Sequence, residues 1–280
     1  MKNNLLNSNL TILVNTCDSY HDVLSIFFLA LKSNWPDCPY SVVINTETST
    51  YNYPARVHRH TGAKGRDDWG ARLRSTLQAI ESDYVMMLCD DFILNAPVSN
   101  LRVAQALALL QLQSDAIVVY LIDTALPLSC TDTQEEFIPL KVNSEYLLNT
   151  APAIWRKQAL MHYTSAGDTP WAWEVFGTYR TWGTGDVFYS LNPSVPDIYP
   201  YDHDKGGAIY RGKWVRKVVD QVSNKFDLNI DWTLRGYSSN DVDERRSLSW
   251  KYQFMKTGFR MVGFKALYFL KAYFSKFYHV

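Results

Sequence analysis

The chain has 280 residues, of which 47% are hydrophobic and 20% are charged. This composition supports a large folded core and excludes a disordered chain. Its 28 basic and 28 acidic residues exclude a protein that binds nucleic acid through a global positive charge. The aromatic fraction of 14% suits a carbohydrate or nucleotide cleft, and equally an ordinary core.

The charges are unevenly distributed. Residues 245–280 contain eight basic residues and no acidic one, which leaves residues 1–244 with 20 basic and 28 acidic residues, a net charge of −8. A body of one sign followed by a tail of the other predicts two regions with different tasks, with the boundary near residue 244.

Cysteine usage and hydropathy indicate the compartment. The four cysteines are scattered, without a paired spacing that favours a metal site, which is typical of reduced thiols in the cytoplasm. The first residues lack the apolar stretch of a secretory signal, and no uncharged apolar run approaches the roughly 20 residues that cross a bilayer. We expect a cytoplasmic protein, soluble or peripheral on the inner face of the membrane.

Strand-like and helix-like patterns alternate along the first 123 residues. Short apolar runs bounded by polar residues predict strands, and apolar residues spaced by three or four positions predict helices. Near-continuous apolar strands between helices are typical of an α/β fold with a mostly parallel central sheet flanked by helices. The predicted strands are 9–16, 40–45, 55–58, 84–88 and 116–122, and the helices between them include 23–31, 68–80 and 101–112.

The second half of the chain is less regular. Helices are predicted at 151–163, 171–180 and 213–225, separated by loops rich in glycine, proline and aromatic residues. A hinge near 227–244 then connects the body to the basic tail.

The most informative motif is Cys89-Asp90-Asp91, at the end of the apolar strand YVMML. Ligands of open α/β sheets bind beyond the carboxyl ends of the strands, and paired carboxylates there suit Mg²⁺ or Mn²⁺ together with phosphate oxygens. In the alternative interpretation, Asp90 or Asp91 caps the next turn. The five apolar residues before the pair, and Asp123 at the end of another strand, favour a ligand site.

The order of the segments TILVNTCDS, SVVINTE and WGARLRSTLQAIESDYVMMLCDDFIL resembles the nucleotide-sugar half of a GT-A glycosyltransferase, of the family-2-like kind of bacterial surface polysaccharide assembly. In that group a helix with a short Arg or Asn motif precedes a strand that ends in an acidic DXD or xDD signature. The resemblance implies a GT-A-like, Rossmann-like domain over residues 1–244, with a nucleotide-sugar half at 1–125 and an acceptor half at 126–244. Because Cys89 takes the first acidic position, this chain has the xDD variant.

The resemblance also implies roles for individual residues. Thr16 and Asp18 would lie where such enzymes receive the base and ribose, and Arg72 would approach the nucleotide or its phosphates. Asp90 would contact the ribose, and Asp91 would bind the Mn²⁺ or Mg²⁺ that bridges the diphosphate. As alternatives, Asp18 caps the following helix and Arg72 is a surface arginine.

Two acidic residues are candidates for the catalytic base. Glu174 follows Pro170 and two tryptophans in TPWAWE, and a carboxylate against aromatic faces has a raised pKa that suits a general base. In similar inverting enzymes such a residue removes the proton of the acceptor hydroxyl. Asp186, in GTGDVF, is the reserve candidate. Alternatively, Glu174 only favours its helix dipole and the tryptophans are core residues.

A late loop could close over the donor. His203, between two aspartates, is a candidate further metal ligand, and Arg211 and Lys213 are candidates to neutralise the leaving diphosphate. Gly206 and Gly207 would let the loop move and let its backbone approach the phosphates. A lone histidine in a polar loop is, alternatively, only solvated.

The tail, residues 245–280, interleaves aromatic and basic residues every four to six positions. As a helix it would present an aromatic face rimmed by Lys and Arg, which favours the surface of an anionic membrane. Alternatively, it docks on the protein's own acidic body, and both interpretations are compatible.

Together these features predict an inverting, metal-dependent glycosyltransferase. It would move a sugar from a nucleotide-diphosphate donor to a hydroxyl of a glycan acceptor, lipid-linked if the tail binds membrane, with no role in nucleic-acid binding. Two alternatives stay open: a non-catalytic scaffold of GT-A-like fold that binds membrane and partner enzymes, and another metal-dependent nucleotide-sugar enzyme such as a nucleotidyltransferase or phosphohydrolase.

Overall fold

The computed structural model describes residues 9–59, 68–238 and 247–278, with the backbone alone for 273–278. Ten strands and eight α-helices are defined in these ranges. The strands are β1 (Leu10–Asn15), β2 (Ser41–Thr46), β3 (Arg56–Arg59), β4 (Tyr84–Cys89), β5 (Ala116–Tyr120), β6 (Phe137–Pro139), β7 (Ala153–Arg156), β8 (Val187–Leu191), β9 (Ile209–Tyr210) and β10 (Lys213–Trp214). The helices are α1 (His21–Asn34), α2 (Trp69–Ala79), α3 (Asn100–Leu112), α4 (Lys157–Tyr163), α5 (Pro170–Val175), α6 (Arg216–Phe226), α7 (Leu248–Val262) and α8 (Leu267–Tyr278).

Eight strands form the central sheet, in the order β3-β2-β1-β4-β7-β5-β8-β6. Strands β3, β2, β1 and β4 pair in parallel, as do β5 and β8, whereas β7 and β6 run antiparallel to their neighbours. The predicted α/β fold with a mostly parallel sheet flanked by helices is therefore confirmed. Its strands are apolar because both faces are covered: every residue of β1 and of β5 is buried.

The five strands of the second half, β6 to β10, were not predicted. The segment Ala153–Arg156 is strand β7, and only Lys157–Tyr163 is helical, so the predicted helix over 151–163 is wrong in its first part. Strand β8 lies in a stretch predicted as loop, and β10 takes the first two residues of the helix predicted at 213–225, which begins at Arg216. Strands β6, β7 and β8 are short, and their pairing comes from strands distant in the sequence rather than from local periodicity.

The segment predicted as a hinge packs on the body wherever the structure describes it. Backbone hydrogen bonds join Trp214 N to Gly236 O at 3.0 Å and Ser238 N to Trp214 O at 2.8 Å. Residues 239–246, the rest of that predicted hinge and the start of the tail, lie outside the described residues.

The C-terminal helices dock on α5 and the residues that follow it. In α7, Phe254 stacks on Trp171 of α5 with ring centroids 4.2 Å apart, and Gly258 lies against the ring of Phe176. Ala266 is fully buried in the same cluster, and Lys265 Nζ donates to Tyr179 O at 3.1 Å. In the described parts of the chain, no helix combines the length and the apolar character needed to cross a bilayer.

Candidate functional site

The site begins where β1 and β4 end. These strands are parallel, with Asn15 in register with Cys89, so Thr16 and Asp90 leave the same edge of the sheet side by side. The Thr16 hydroxyl donates a hydrogen bond to Asp90 Oδ2, and the Asp90 N–H donates to Asn15 O at 3.1 Å. The crevice beyond such strand ends is where open α/β sheets bind ligands.

A chain of buried polar side chains lies beneath this edge. Thr76 Oγ1 of α2 donates to Asn45 Oδ1 at 2.9 Å, and Asn45 Nδ2 donates to Asn15 Oδ1 at 2.8 Å. Asn15 Nδ2 in turn donates to Leu88 O at 3.2 Å. Because every link is made among buried groups, the network fixes α2, β2, β1 and β4 relative to one another.

The two aspartates have different environments. Asp90 is 3% exposed, and burial raises its pKa well above the ordinary value. Asp91 is half-buried, and burial raises its pKa to about 7 against the effect of hydrogen bonds from backbone N–H groups, one of them that of Ile209. The Ala208 N–H also donates to Asp91 O at 2.9 Å, so the loop before β9 lies directly on Asp91.

The residues around Asp91 fit one kind of metal site. Among the described residues, no three His, Cys, Asp or Glu side chains converge to hold a metal ion. Asp90 is buried and engaged by Thr16, so Asp91 is the more accessible of the two aspartates. A single carboxylate suits Mg²⁺ or Mn²⁺ that completes its coordination with substrate phosphates and water, and does not suit a metal held by protein alone.

Asp18 and Arg72 meet through a residue that the sequence analysis missed, Glu47. Glu47 Oε2 accepts from the Asp18 N–H at 2.9 Å, and Glu47 Oε1 is 2.9 Å from Arg72 Nη1. Arg72 is only 3% exposed, so it is not a surface arginine, and its Nε has no hydrogen-bond partner among the described residues. Glu47 directly follows β2, and the strand-end argument that selected Asp90 applies to it equally.

The Asp18 carboxylate is occupied by the loop after β2. It accepts hydrogen bonds from the backbone N–H of Thr48 at 3.1 Å and of Ser49 at 3.0 Å, and from the Thr48 and Thr46 hydroxyls. Burial raises its pKa, but these hydrogen bonds outweigh burial and lower the pKa to about 2. Asp18 therefore orders the loop that carries Glu47.

Glu174 lies on α5 near the end of β4. Its Oε1 accepts from Thr150 N at 2.7 Å and from Thr150 Oγ1 at 2.5 Å, and Thr150 precedes β7, whose first residues lie beside the end of β4. Burial raises the pKa of Glu174. The pKa of the Cys89 thiol is raised by burial and then by the charges of Asp91, Asp90 and Glu174.

The tryptophans beside Glu174 pack elsewhere. Trp173 is fully buried against Trp69 and Trp155, with ring centroids 5.6 and 5.9 Å away, and Trp171 stacks on α7. Trp173 is therefore a core residue, and Trp171 is a docking residue for α7. The burial of Glu174 does not come from stacking between the two tryptophans.

Two other predicted residues, Asp186 and His203, have partners outside this group. Asp186 accepts a hydrogen bond from the Tyr163 hydroxyl and precedes β8, beside Asp115, which places it at the opposite edge of the sheet. His203 Nε2 is 3.5 Å from Asp197 Oδ2, and its ring is 5.5 Å from that of Tyr201.

Arg211 and Lys213 lie on the β9–β10 hairpin, and both are exposed. Arg211 and Gly212 form its turn with φ values of 53° and 80°, and the Arg211 guanidinium lies 5.2 Å from the Tyr210 ring centroid. Asp91 is contacted by the residues that precede the turn, through Ala208 N and the backbone N–H of Ile209.

Comparisons with known proteins find similar folds at low sequence identity. No protein-family model matches the chain, and no curated protein matches it significantly. The chain is similar to S. aureus TarS in complex with UDP-GlcNAc (14% identity over 67% of this chain and 57% of that chain, TM-score 0.44). Another TarS structure, in complex with UDP, matches at 14% identity over 91% of this chain and 83% of that chain, with a TM-score of 0.48.

A third similar structure is CMP:2-keto-3-deoxy-manno-octonic acid synthetase complexed with CTP, at 12% identity over 66% of this chain and 89% of that chain, with a TM-score of 0.42. The first of the TarS matches spans less than two thirds of the TarS chain. Identities and TM-scores this low assign no function. The function of this chain must therefore be inferred from its own residues.

Proposed function

We propose that this chain is a GT-A-type glycosyltransferase that uses a nucleotide-diphosphate sugar. The observation that carries the proposal is the placement of Asp90 and Asp91 at the carboxyl edge of a mostly parallel sheet, with Glu174 held by Thr150 beside the same end of β4. A transferase of this class needs an acidic group for the metal and diphosphate and a separate base for the acceptor. Asp91 is proposed for the first task and Glu174 for the second.

Residues that follow different strands bind different parts of the donor. Asp90, fixed by Thr16, accepts a ribose hydroxyl, and the pair of Glu47 and Arg72 offers an acceptor and a donor for the nucleobase. Asp91 binds Mn²⁺ or Mg²⁺, which supplies charge to stabilise the departing diphosphate. His203 is a candidate further ligand that would have to leave Asp197 in order to bind.

Glu174 acts as the general base. It removes the proton of the acceptor hydroxyl while the acceptor oxygen forms a bond to the anomeric carbon and the bond from that carbon to the diphosphate oxygen breaks. The proton remains on Glu174 and the electron pair leaves with the diphosphate, giving inversion at the anomeric carbon. Burial, which raises the pKa of Glu174, suits this role near neutral pH.

The experiment that tests this function is a transfer assay. Wild-type protein is incubated with UDP-, GDP- and dTDP-sugars and Mn²⁺, with hydroxyl acceptors of glycan and lipid-linked type, and the release of nucleoside diphosphate is followed. Acceptor-stimulated release of one diphosphate supports the transferase. Release of pyrophosphate from a nucleoside triphosphate and a sugar phosphate instead indicates a nucleotidyltransferase, and no turnover with any donor favours the scaffold.

We further propose that the docked tail binds an anionic membrane through its outer face and brings a lipid-linked acceptor to α5. Leu248, Tyr252 and Phe264 are 83%, 68% and 85% exposed, although α7 is docked on the body. Five exposed basic residues accompany them on the described part of the tail. They are Lys251, Lys256, Arg260, Lys265 and Lys271.

Deletion of the tail is a poor test, because it would uncover Phe176 and its neighbours. Lys251, Lys256, Arg260 and Lys271 are instead replaced by glutamine, and Lys265 is retained because it bonds to Tyr179 O. The variant should lose co-sedimentation with phosphatidylglycerol vesicles and keep its thermal stability. Undiminished co-sedimentation would show that the basic face does not bind the membrane.

A further inference from the structure

A buried arginine that the sequence analysis did not select, Arg235, lies between two elements of the site. Its side chain is 8% exposed. Its guanidinium carbon lies 4.7 Å from the ring centroid of Tyr20, which follows β1, and 5.3 Å from that of Trp214, which belongs to β10. Tyr20 belongs to the segment that follows Thr16, the hydrogen-bond partner of Asp90. Trp214 belongs to the hairpin whose preceding loop contacts Asp91.

The guanidinium is fixed on two of its three nitrogens. Nε donates to Asp22 Oδ2 at 2.9 Å, Nη2 donates to Ser19 O at 2.7 Å, and Nη2 also contacts Asp22 Oδ1. Nη1 makes no hydrogen bond to a described residue. Because an arginine carries five N–H donors in a planar fork, this arrangement presents a positioned cation with two donors uncommitted.

Arg235 lies at the N-terminus of α1, where it pairs with Asp22 and donates to Ser19 O. Asp22 lies in the first turn of α1, a 14-residue helix whose N-terminal N–H groups also favour negative charge. The cations predicted for this task are less well placed, because Arg211 and Lys213 are exposed on the hairpin turn and Arg72 faces Glu47.

We propose that Arg235 binds the diphosphate of the donor through Nη1, and that Asp22 is the positioning residue that orients its guanidinium. This inference rests on the proposed nucleotide-sugar function and adds to it the group that receives the leaving diphosphate. A positioned guanidinium binds two phosphate oxygens at once, which a lysine ammonium does not reproduce.

The test compares the affinities of diphosphates and monophosphates. Binding of UDP, GDP and dTDP, and of UMP, GMP and dTMP, is measured by calorimetry with Mn²⁺ for the wild type, R235Q, R235K and D22N. R216Q is the matched control, because Arg216 lies 4.0 Å over Tyr237 in the same region and is exposed. Circular dichroism and thermal unfolding check the folding of each variant.

We expect R235Q to bind the preferred diphosphate at least tenfold more weakly and the matching monophosphate within twofold of the wild type. R235K and D22N should lie between, and R216Q should match the wild type. If R235Q does not fold, R235K is used instead, and it should show the same difference: weaker binding of the diphosphate with little change for the monophosphate. Equal losses for both ligands would make Arg235 merely structural, and unchanged affinity would also overturn the inference while leaving the donor site intact. A wild type that binds none of the nucleotides would remove both this inference and the proposed function.

Discussion

Gly207 lies so close to Asp91 that no side chain fits between them. A Cβ at position 207 would be 2.8 Å from Asp91 Oδ2 and 2.9 Å from Asp91 O, and the residue has a φ of +145°. Both the contact and the backbone conformation therefore require glycine. The sequence suggested that Gly206 and Gly207 let the backbone approach phosphates. In the structure, Gly207 lets the loop contact Asp91.

Gly207→Ala should displace this loop and disturb Asp91. We expect the variant to lose most of the metal-dependent stabilisation by nucleoside diphosphate, measured as the shift in Tm. Gly206→Ala is the matched control, because Gly206 also has a positive φ (+87°) but has nothing within 4 Å of its Cβ position. Equal losses in both variants would show that backbone strain, and not the contact with Asp91, is responsible.

Thr16→Val should destabilise the fold. It removes the hydroxyl that donates to buried Asp90 and leaves a carboxylate oxygen without that partner, which costs about 1–3 kcal/mol. Urea unfolding measures the change. Thr16→Ser keeps the hydroxyl and should lose less, so a serine variant as unstable as the valine variant would assign the effect to the lost methyl group.

Glu174→Gln should keep donor affinity and lose transfer. Removal of a general base lowers the rate by about 10²–10⁴-fold. Because burial raises the pKa of Glu174 and the base must be ionised, wild-type activity should fall with decreasing pH at a higher pH than for an ordinary glutamate. Asp186→Asn should retain activity, since Asp186 lies at the opposite edge of the sheet. If Asp186→Asn is the inactive variant, the roles are reversed.

Gly258→Ala should weaken docking of the tail. The added Cβ would lie 2.6 Å from Phe176 Cε1, so one of the two elements must move. Overpacking of this kind costs about 1–3 kcal/mol. Urea unfolding compares it with Gly167→Ala, where nothing lies within 4 Å of the Cβ position. Equal stability of the two variants would argue against the close contact between α7 and Phe176.

The alternation of strands and helices up to residue 123 could be read from local patterns, because β1, β4 and β5 are largely apolar runs that are covered on both faces. The same rule of strand ends that selected Asp90 and Asp91 also applies to Glu47, which follows β2. Strand β7 could not be predicted in this way. Its apolar residues continue into α4, and its position between β4 and β5 is set by tertiary pairing.

The contacts of Arg235 show a second limit of local pattern. Its partner Asp22 is 213 residues away in the sequence, so no spacing connects them. Arg211 and Lys213 belong to a local motif that suggested phosphate binding, but both are exposed on the β9–β10 hairpin. The charge pattern identified the basic tail, but it could not show which aromatic residues of the tail pack on the body. Phe254 docks on the body and Phe264 is exposed.

Thermal unfolding with nucleotides and metal tests the central claim, a cation and diphosphate site at Asp91, most directly. Wild type, Asp91→Asn and the loop control Asp204→Asn are unfolded with UDP, GDP, CMP and dTDP, each with and without Mn²⁺. One nucleotide at 100 times its Kd should stabilise the wild type by about 2.7 kcal/mol with Mn²⁺ and much less without it. Asp91→Asn should lose the metal-dependent part, and Asp204→Asn should keep it. Metal-dependent stabilisation that survives in Asp91→Asn, or its absence in the wild type with every nucleotide, would contradict the account.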